Sequence, residues 1–351
     1  MHNLDTKRVK IVHVTKMFKY IVKRLLISIL ILIGVSIIIY TMVRLMPNDY
    51  VDNKYSQQLQ SGSIKQEDID RFKELYGIGD SSFEGIMSGY FKWLGNMCKG
   101  DLGLSFKYEK PVADVIGENM WISFAIAFIA TILQFLIAIP LGITSATHQY
   151  SARDYITTIF TMIGISLPTY FFAAIAIKIF SVDLGWLPAN GLIYATVDYP
   201  ATFAGTMQKL GDIIQHMILP IFVSVFLSIG GLMRYTRTNT LEVLNADYIR
   251  TARAKGLSEK IVIYKHAFRN TLIPLATLLA GILPSLFGGM MITEQVFGID
   301  GIGRLAYQAL KEGDIPFVMG YNMFLAVLTV IGTLLSDLMY SIVDPRVKLG
   351  K

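Results

Sequence analysis

Few residues in this 351-residue chain could carry chemistry, and their spacing argues against most kinds of catalysis. The five histidines, at positions 2, 13, 148, 216 and 266, form no H-E-x-x-H pair or other metal-ligand spacing. No G-x-x-x-x-G-K-[ST] run is present, so the chain should not bind or hydrolyse a nucleotide through a phosphate loop. The glycines of GIDGIGR, Gly298–Arg304, lack the Lys–Ser/Thr pair a phosphate cradle needs and read as a turn. Ser28, Ser36, Ser123, Ser166 and Ser285 sit in apolar runs, where bonding back to the preceding turn is the usual role. A single cysteine, Cys98, excludes an intramolecular disulfide and a Cys-rich metal site, and reads as a lone thiol in a loop. No catalytic residue, metal site or cofactor site is nominated in this chain.

What remains is recognition chemistry, concentrated in the basic segment from Arg234 to Arg269. Asn245-Ala-Asp-Tyr reads as a helix start, with Asn245 as N-cap and Asp247 favourable in the first turn. The helix would run through Tyr248, Arg250, Ala252, Arg253 and Lys255 and stop at Gly256, a fitting residue just past a helix end. Ser258 would cap a second helix with Glu259 in its first turn, and Ile261, Val262, Tyr264 and Phe268 would supply its apolar contacts. On the first helix Ile249, Ala252 and Gly256 fall near one face, with Arg250, Arg253 and Lys255 projecting around it. Small residues beside flexible cations suit a groove on another protein. Charge alone favours a membrane-flanking stretch that follows the positive-inside bias, and the caps and interleaved small residues bring the docking reading level with it.

The elements that must position this segment are membrane helices. Hydrophobic residues make up 53% of the chain and charged ones 17%, against about a quarter charged in soluble domains. A bilayer core of about 30 Å needs roughly 20 apolar residues per helix. Six stretches meet or approach that length without an internal charge: Leu25–Val43, Trp121–Thr147, Tyr155–Ile177, Met217–Met233, Thr271–Thr293 and Phe317–Ser336. Pro140, Pro168, Pro220, Pro284 and the Gly288-Gly289 pair interrupt them, as tolerated in packed membrane bundles. The first stretch, with 19 apolar residues and no small-x-small pattern after it, reads as an uncleaved anchor.

Counting Lys and Arg orients the spans. Residues 1–24 hold seven basic against one acidic, and 234–270 hold eight against three. Residues 48–118 hold eight against twelve, and 294–316 two against four. Both termini are therefore expected in the cytoplasm. The net charge of +6 then belongs to the inner face of the membrane, not to nucleic acid.

The expected organisation is a basic, disordered or surface-lying lead at 1–16 and a first membrane helix at 17–46. An extracytoplasmic loop or cap follows at 47–118, then a five-helix core at 119–344 and a cytoplasmic tail at 345–351. Within the outer loop, Ser63–Tyr76 has helical spacing, Tyr90–Leu94 with Trp93 is an aromatic interfacial segment, and Gly100–Phe106 (GDLGLSF) is turn-rich.

Ionisable side chains are nearly missing from these spans, with Lys178 and Asp337, close to span ends, as the exceptions. Ion-coupled carriers commonly hold Asp, Glu or His at membrane depth, so a transporter of this composition would draw its energy from elsewhere. A channel, a secondary carrier or a non-transporting scaffold are the alternatives from other classes.

Asp247–Pro274, DYIRTARAKGLSEKIVIYKHAFRNTLIP, resembles the coupling-loop signature of binding-protein-dependent ABC importer permeases. More narrowly it is similar to the B-type subunit of the oligopeptide/dipeptide group, which also includes nickel permeases. The likeness runs from Met17 to Lys348 and includes GDLGLSF, LGITSA, SLPTYFFA, LGWLPANG and LLSDLMYSIVDPRVK. It departs from the broad E-A-A-x₃-G-x₉-I-x-L-P form: Arg250-Thr251-Ala252 stands before Gly256, the nearest acidic residue is Asp247, and Ile273-Pro274 comes later.

The resemblance implies an all-α, type I importer permease fold of about six transmembrane helices in the plasma membrane. It implies a second homologous permease, two ABC ATPase subunits that bind ATP and Mg, an extracytoplasmic substrate-binding (lipo)protein and surrounding membrane lipid. Asp247–Gly256 would be the ATPase-coupling helix, while Pro284, Gly288, Gly289 and Glu294 are candidates for the translocation path or gate. For Glu294 a solvated helix cap, and for the glycines bundle packing, are equally open. Peptides are the implied cargo, with nickel–chelator complexes or other small solutes as the alternative.

Overall fold

The structure is a computed structural model and describes the backbone of residues 2–44, 82–194 and 196–343. Among these residues all regular structure is helical. Helix α1 runs from His2 to Arg44. No Gly or Pro interrupts the sequence before Gly34, and residues 2–16 continue the helix of the first span. The expected helix at Ser63–Tyr76 and the tail at 345–351 lie outside the described residues.

Helix α2 (Phe83–Met97) precedes α3 (Val112–Thr147), which begins several residues before the apolar run of the second expected span. Helix α4 (Ala152–Ser166) and α5 (Thr169–Ala176) are bent by 105° relative to each other. The cause is Leu167, forced into extended backbone (φ −85°, ψ 131°) by Pro168 after it. Helix α5 passes into a π-helical turn, Ile177–Asp183, whose wider winding brings Lys178 Nζ within 2.8 and 2.7 Å of the two Asp183 carboxylate oxygens.

Helix α6 (Phe203–Leu244) has 42 residues and so a length of about 63 Å, roughly twice the hydrocarbon core. It must extend well beyond the bilayer, and Arg234 and Arg237 lie on this helix rather than in a loop starting at 234. Then come α7 (Asp247–Ala254), α8 (Glu259–Ile261) with a π turn at Val262–Ala267, α9 (Phe268–Thr277), α10 (Leu279–Phe287) and α11 (Met291–Val296). The expected span Thr271–Thr293 is thus broken, at Leu278 and again at Gly288–Met290, where Gly289 takes φ +77°. Helices α12 (Ile302–Glu312) and α13 (Ile315–Val343) complete the chain.

Among the described residues, four helices (α1, α3, α6 and α13) are long and apolar enough to cross a membrane, and the bent α4–α5 pair makes five. Large apolar side chains such as Leu30, Leu136 and Ile156 lie exposed on these helices, as expected of surfaces solvated by lipid.

The chain divides into two compact units. In the first, which takes in residues up to Trp121 and Leu305–Leu334, α2 packs on α1. Tyr40 meets Tyr90 edge-on at 5.6 Å between ring centroids, and the Ser36 and Tyr90 hydroxyls hydrogen-bond at 2.8 Å. The turn-rich Gly100–Phe106 segment is held by Asp314, which is fully buried. Its carboxylate accepts from the Ser105 hydroxyl, from the Phe106 and Lys107 amides, and from the Phe317 amide, which caps α13.

The second unit, chiefly Ile122–Arg304, has its core where α3, α5 and α6 meet, around Ile126, Ala138, Ala173, Leu219, Val223 and Phe297. Close helix approach relies on small residues: a β-carbon at Gly230 of α6 would fall 2.5 Å from the Thr161 carbonyl oxygen of α4.

Candidate functional site

The basic segment is built from the end of α6. Asn245 terminates that helix: its amide bonds the Glu242 and Val243 carbonyls and its side-chain Nδ2 donates to the Leu241 carbonyl at 3.0 Å. It therefore does not cap α7 as expected. Ala246, in extended backbone, is the N-cap, without a side-chain hydrogen bond. The exposed Asp247 offsets the positive end of the helix from the first turn and lies 3.6 Å from Arg250. Ser258 stands at the N-cap of α8, again with no side-chain bond.

Ile249 and Ala252 are buried in a small cluster with Val262 and Ala267, against Val243 and Leu244. The small-residue face of α7 is thus consumed inside the chain, and Gly256 does not share it but lies exposed. The face left outward carries Asp247, Tyr248, Arg250, Thr251 and Lys255. Of the apolar contacts expected on the second helix, Val262 is buried, while Ile261 and Tyr264 are exposed.

Gly256 takes φ +75° with open space around it, so conformation rather than packing demands glycine there. Arg253 closes the turn with two hydrogen bonds to Glu259, at 3.2 and 2.7 Å. That pairing holds the Glu259 carboxyl below its usual range and raises the Arg253 guanidinium, while partial burial raises the Tyr248 phenol. Both partners of the pair are about half exposed, so water screens it and it orders the turn more than it stabilises the fold.

A second ion pair braces the helix that leads into α7. Asp154, in the first turn of α4, is 4% exposed. It receives Arg237 Nε at 3.0 Å and Nη2 at 2.9 Å, the Ser145 hydroxyl and the Tyr150 amide at 3.0 Å. The pair joins α4 to α6, and Ser145 adds α3. Counting charges had placed Arg237 in a loop and Asp154 outside any span. A sequence signal was nonetheless present: Ser151-x-x-Asp154 before an apolar run is a capping-box spacing, and Ser151 Oγ does accept from the Asp154 amide.

Of the candidate gate residues, Gly289 lies against the buried carboxylate of Glu294. Glu294 is fully buried rather than a solvated cap. Its Oε1 accepts from the Ser123 hydroxyl at 2.7 Å and the Met290 amide at 2.9 Å, and its Oε2 from the Arg304 amide at 2.9 Å. Ser123 in turn accepts from the Ile302 amide, a tertiary role rather than the expected bond to its own helix. Ser36, Ser166 and Ser285 do bond back to preceding carbonyls. Gly289 packs against Gly303, where a β-carbon would fall 2.4 Å from the amide nitrogen. Gly288 ends α10 with its amide on the Pro284 carbonyl at 2.8 Å, and Pro284 lies within that helix. Glu294 thus orders the Gly298–Arg304 turn through backbone amides.

Helices long and apolar enough to cross a membrane, with an ordered, cation-bearing segment among them, define a multi-pass membrane protein. The family model described as "Binding-protein-dependent transport system inner membrane component" matches residues 138–349. The oligopeptide transport system permease protein AppB of Bacillus subtilis is 38% identical over 333 residues, covering 95% of this chain and 100% of AppB. The dipeptide transport system permease protein DppB of Alkalihalophilus pseudofirmus is 32% identical over 341 residues, covering 95% and 100%. A solved structure of the MetNI methionine ABC transporter, in inward-facing conformations, has a TM-score of 0.48 and 16% identity, covering 66% of this chain and 96% of that one. The chain belongs to the family of inner-membrane components of binding-protein-dependent transport systems.

Two consequences of these centres can be measured by thermal unfolding in detergent. Asp154→Ala leaves the Arg237 cation uncompensated and should cost about 3–5 kcal/mol, and Asp154→Ala with Arg237→Met should recover most of that loss. Glu294→Ala strands three donors and should cost about 3 kcal/mol or more, with Glu294→Gln intermediate because its carbonyl oxygen still accepts while its NH2 group cannot.

Proposed function

We propose that this chain is the B-type permease subunit of an ATP-driven importer of oligopeptides or dipeptides, with its termini and α7 on the cytoplasmic side. It would form the translocation path with a second homologous permease, receive cargo from an extracytoplasmic binding protein and couple to two ABC ATPase subunits that bind ATP and Mg. The observation that carries the docking role is the geometry of α7. Its apolar side is already buried in the chain, Asn245 ends α6 just before it and the left-handed Gly256 turns the chain just after it, and its outward side offers Tyr248, Arg250 and Lys255 within reach of a partner. Full-length similarity to AppB and DppB supports the peptide cargo.

An external motor also accords with the buried charges. Asp154, Glu294 and Asp314 are each committed to hydrogen bonds that order local structure, and none is poised to relay protons. In this mechanism the ATPases close on ATP, α7 is displaced with them, and α6 and α9 carry the movement into the membrane. The fold would then alternate between inward- and outward-facing states, with the Arg253–Glu259 turn keeping α7 from rotating about its attachment.

Gly256→Trp tests the coupling role. A β-carbon in left-handed backbone costs about 1–2 kcal/mol and redirects α7. Uptake of labelled di- and oligopeptides should fall by roughly tenfold or more, since about 1.4 kcal/mol is one factor of ten, while membrane insertion stays normal. Wild-type uptake by this variant would contradict the docking model. Uptake of nickel–chelator complexes and not of peptides would move the cargo assignment while leaving the coupling role intact.

A further inference from the structure

The fifth expected span is interrupted at Leu278, and beside that interruption lies a pocket of about 270 Å³, room for about nine water molecules. Thr131 and Gln134 of α3, Gly231 of α6, and Leu278, Ile282 and Ser285 around the α9–α10 break are among its walls. Gln134 is the middle residue of Trp121–Thr147, so the pocket lies at membrane depth. No charged side chain lines it among the described residues.

Two features of this pocket have no explanation in the packing of the chain. The first is unspent hydrogen-bonding capacity. Gln134 Nε2 donates to the Ser228 carbonyl at 3.0 Å, which ties α3 to α6, but its Oε1 accepts nothing among the described residues. The Thr131 hydroxyl also has no partner among them, although Thr147 on the same helix bonds back to the Ile143 carbonyl at 2.9 Å. Lipid tails can satisfy neither group, so water or a polar ligand must. The second feature is Gly231. A β-carbon there would meet nothing within 4 Å, whereas one at the neighbouring Gly230 would fall 2.5 Å from the Thr161 carbonyl oxygen. Glycine weakens a helix interior relative to alanine, and at 231 neither packing nor backbone conformation calls for it. What it preserves is space in the pocket.

We propose that this pocket is a cargo subsite on the translocation path, where the backbone of the transported peptide hydrogen-bonds to Gln134 and Thr131 as it passes Gly231. This rests on the reading of the chain as a peptide permease. The chemistry of the walls selects the ligand. A carboxamide carries the same donor and acceptor pair as a peptide group, so it pairs with the part of the cargo that does not vary with sequence. Neutral walls favour neither acidic nor basic side chains, as passage of mixed peptides requires. An acyl chain would leave both polar groups unpaired. The break at Leu278 also sets the pocket against the short helix α10, bounded on its other side by Gly288 and Gly289. Transport sites commonly form at such discontinuous helices near the bilayer midplane.

Three variants of the complete complex in proteoliposomes test this, with peptide uptake by the wild-type complex measured alongside. Gly231→Leu fills the pocket without a backbone clash, so the melting temperature should hold or rise while uptake of di- and oligopeptides falls about tenfold or more. In a Cys98→Ser background, Thr131→Cys should react with a charged methanethiosulfonate reagent, which needs water at the thiol. A saturating transported peptide should slow that reaction about fivefold or more. Gln134→Lys should lower uptake of lysine-containing relative to glutamate-containing dipeptides about tenfold, an effect that loss of a helix-joining bond would not produce. Any one of four results overturns the inference: normal uptake by Gly231→Leu, an unreactive thiol in Thr131→Cys, a reaction there that peptide does not slow, or an equal loss of both dipeptides in Gln134→Lys. Each leaves the peptide-permease reading standing when the wild-type complex takes peptides up. No peptide uptake by the wild-type complex overturns both.

Discussion

A polar group removed from water must find its partner inside the protein, and in hydrocarbon this constraint has no exemption. The long helices α3, α6 and α13 obey it through their own backbone ladders. Where the chain leaves the helix, carboxylates take over. Asp314 collects the amides of the Gly100–Phe106 segment, Glu294 collects those of Met290 and Arg304, and Asp154 collects that of Tyr150. Each is a buried acid whose charge is spent on backbone donors, a hydroxyl or an arginine. Irregular segments next to a bilayer can then be as fixed as helices are, and a fixed segment can pass on a displacement.

Rigidity matters most at the junction of α6 and α7. Only two residues, Asn245 and Ala246, separate a 42-residue helix from the eight-residue one. Asn245 is occupied on the α6 side, Ile249 and Ala252 sit in a cluster that reaches back to Val243 and Leu244, and Arg253 grips Glu259 beyond the turn. A force applied to the outer face of α7 therefore has few soft bonds to dissipate in before it reaches α6. The Arg237–Asp154 pair then ties α6 to α4, whose bend at Leu167-Pro168 redirects the chain.

Much of this was legible in the sequence, for physical reasons that differ by element. Uninterrupted apolar runs marked α1, α3 and α13, because length and hydropathy suffice for a straight span. Pro168 and the Gly288-Gly289 pair mark the breaks, and Pro168 sets Leu167 extended by a local rule, but the 105° angle that results between the two helices is a tertiary matter. In the basic segment the positions of α7 and Gly256 follow from local chemistry. Asn245 stands between two helices and ends the first rather than capping the second, and the small-residue face suits a partner by composition but is covered by Val262 and Ala267 from within the chain. The burial of Glu294 is not legible locally, because its donors include Ser123, 171 positions earlier, and Arg304. Membership of the transport family rested on many short matching runs, which tertiary detail does not alter.

The central claim is that this permease takes its energy from ATPases acting through α7. The most direct measurement is peptide uptake into proteoliposomes that contain the complete complex and its binding protein. The account predicts uptake that needs ATP on the α7 side, persists when a protonophore abolishes ion gradients, and vanishes without ATP. Uptake that proceeds without ATP, or that collapses with the proton gradient while ATP is present, would contradict it.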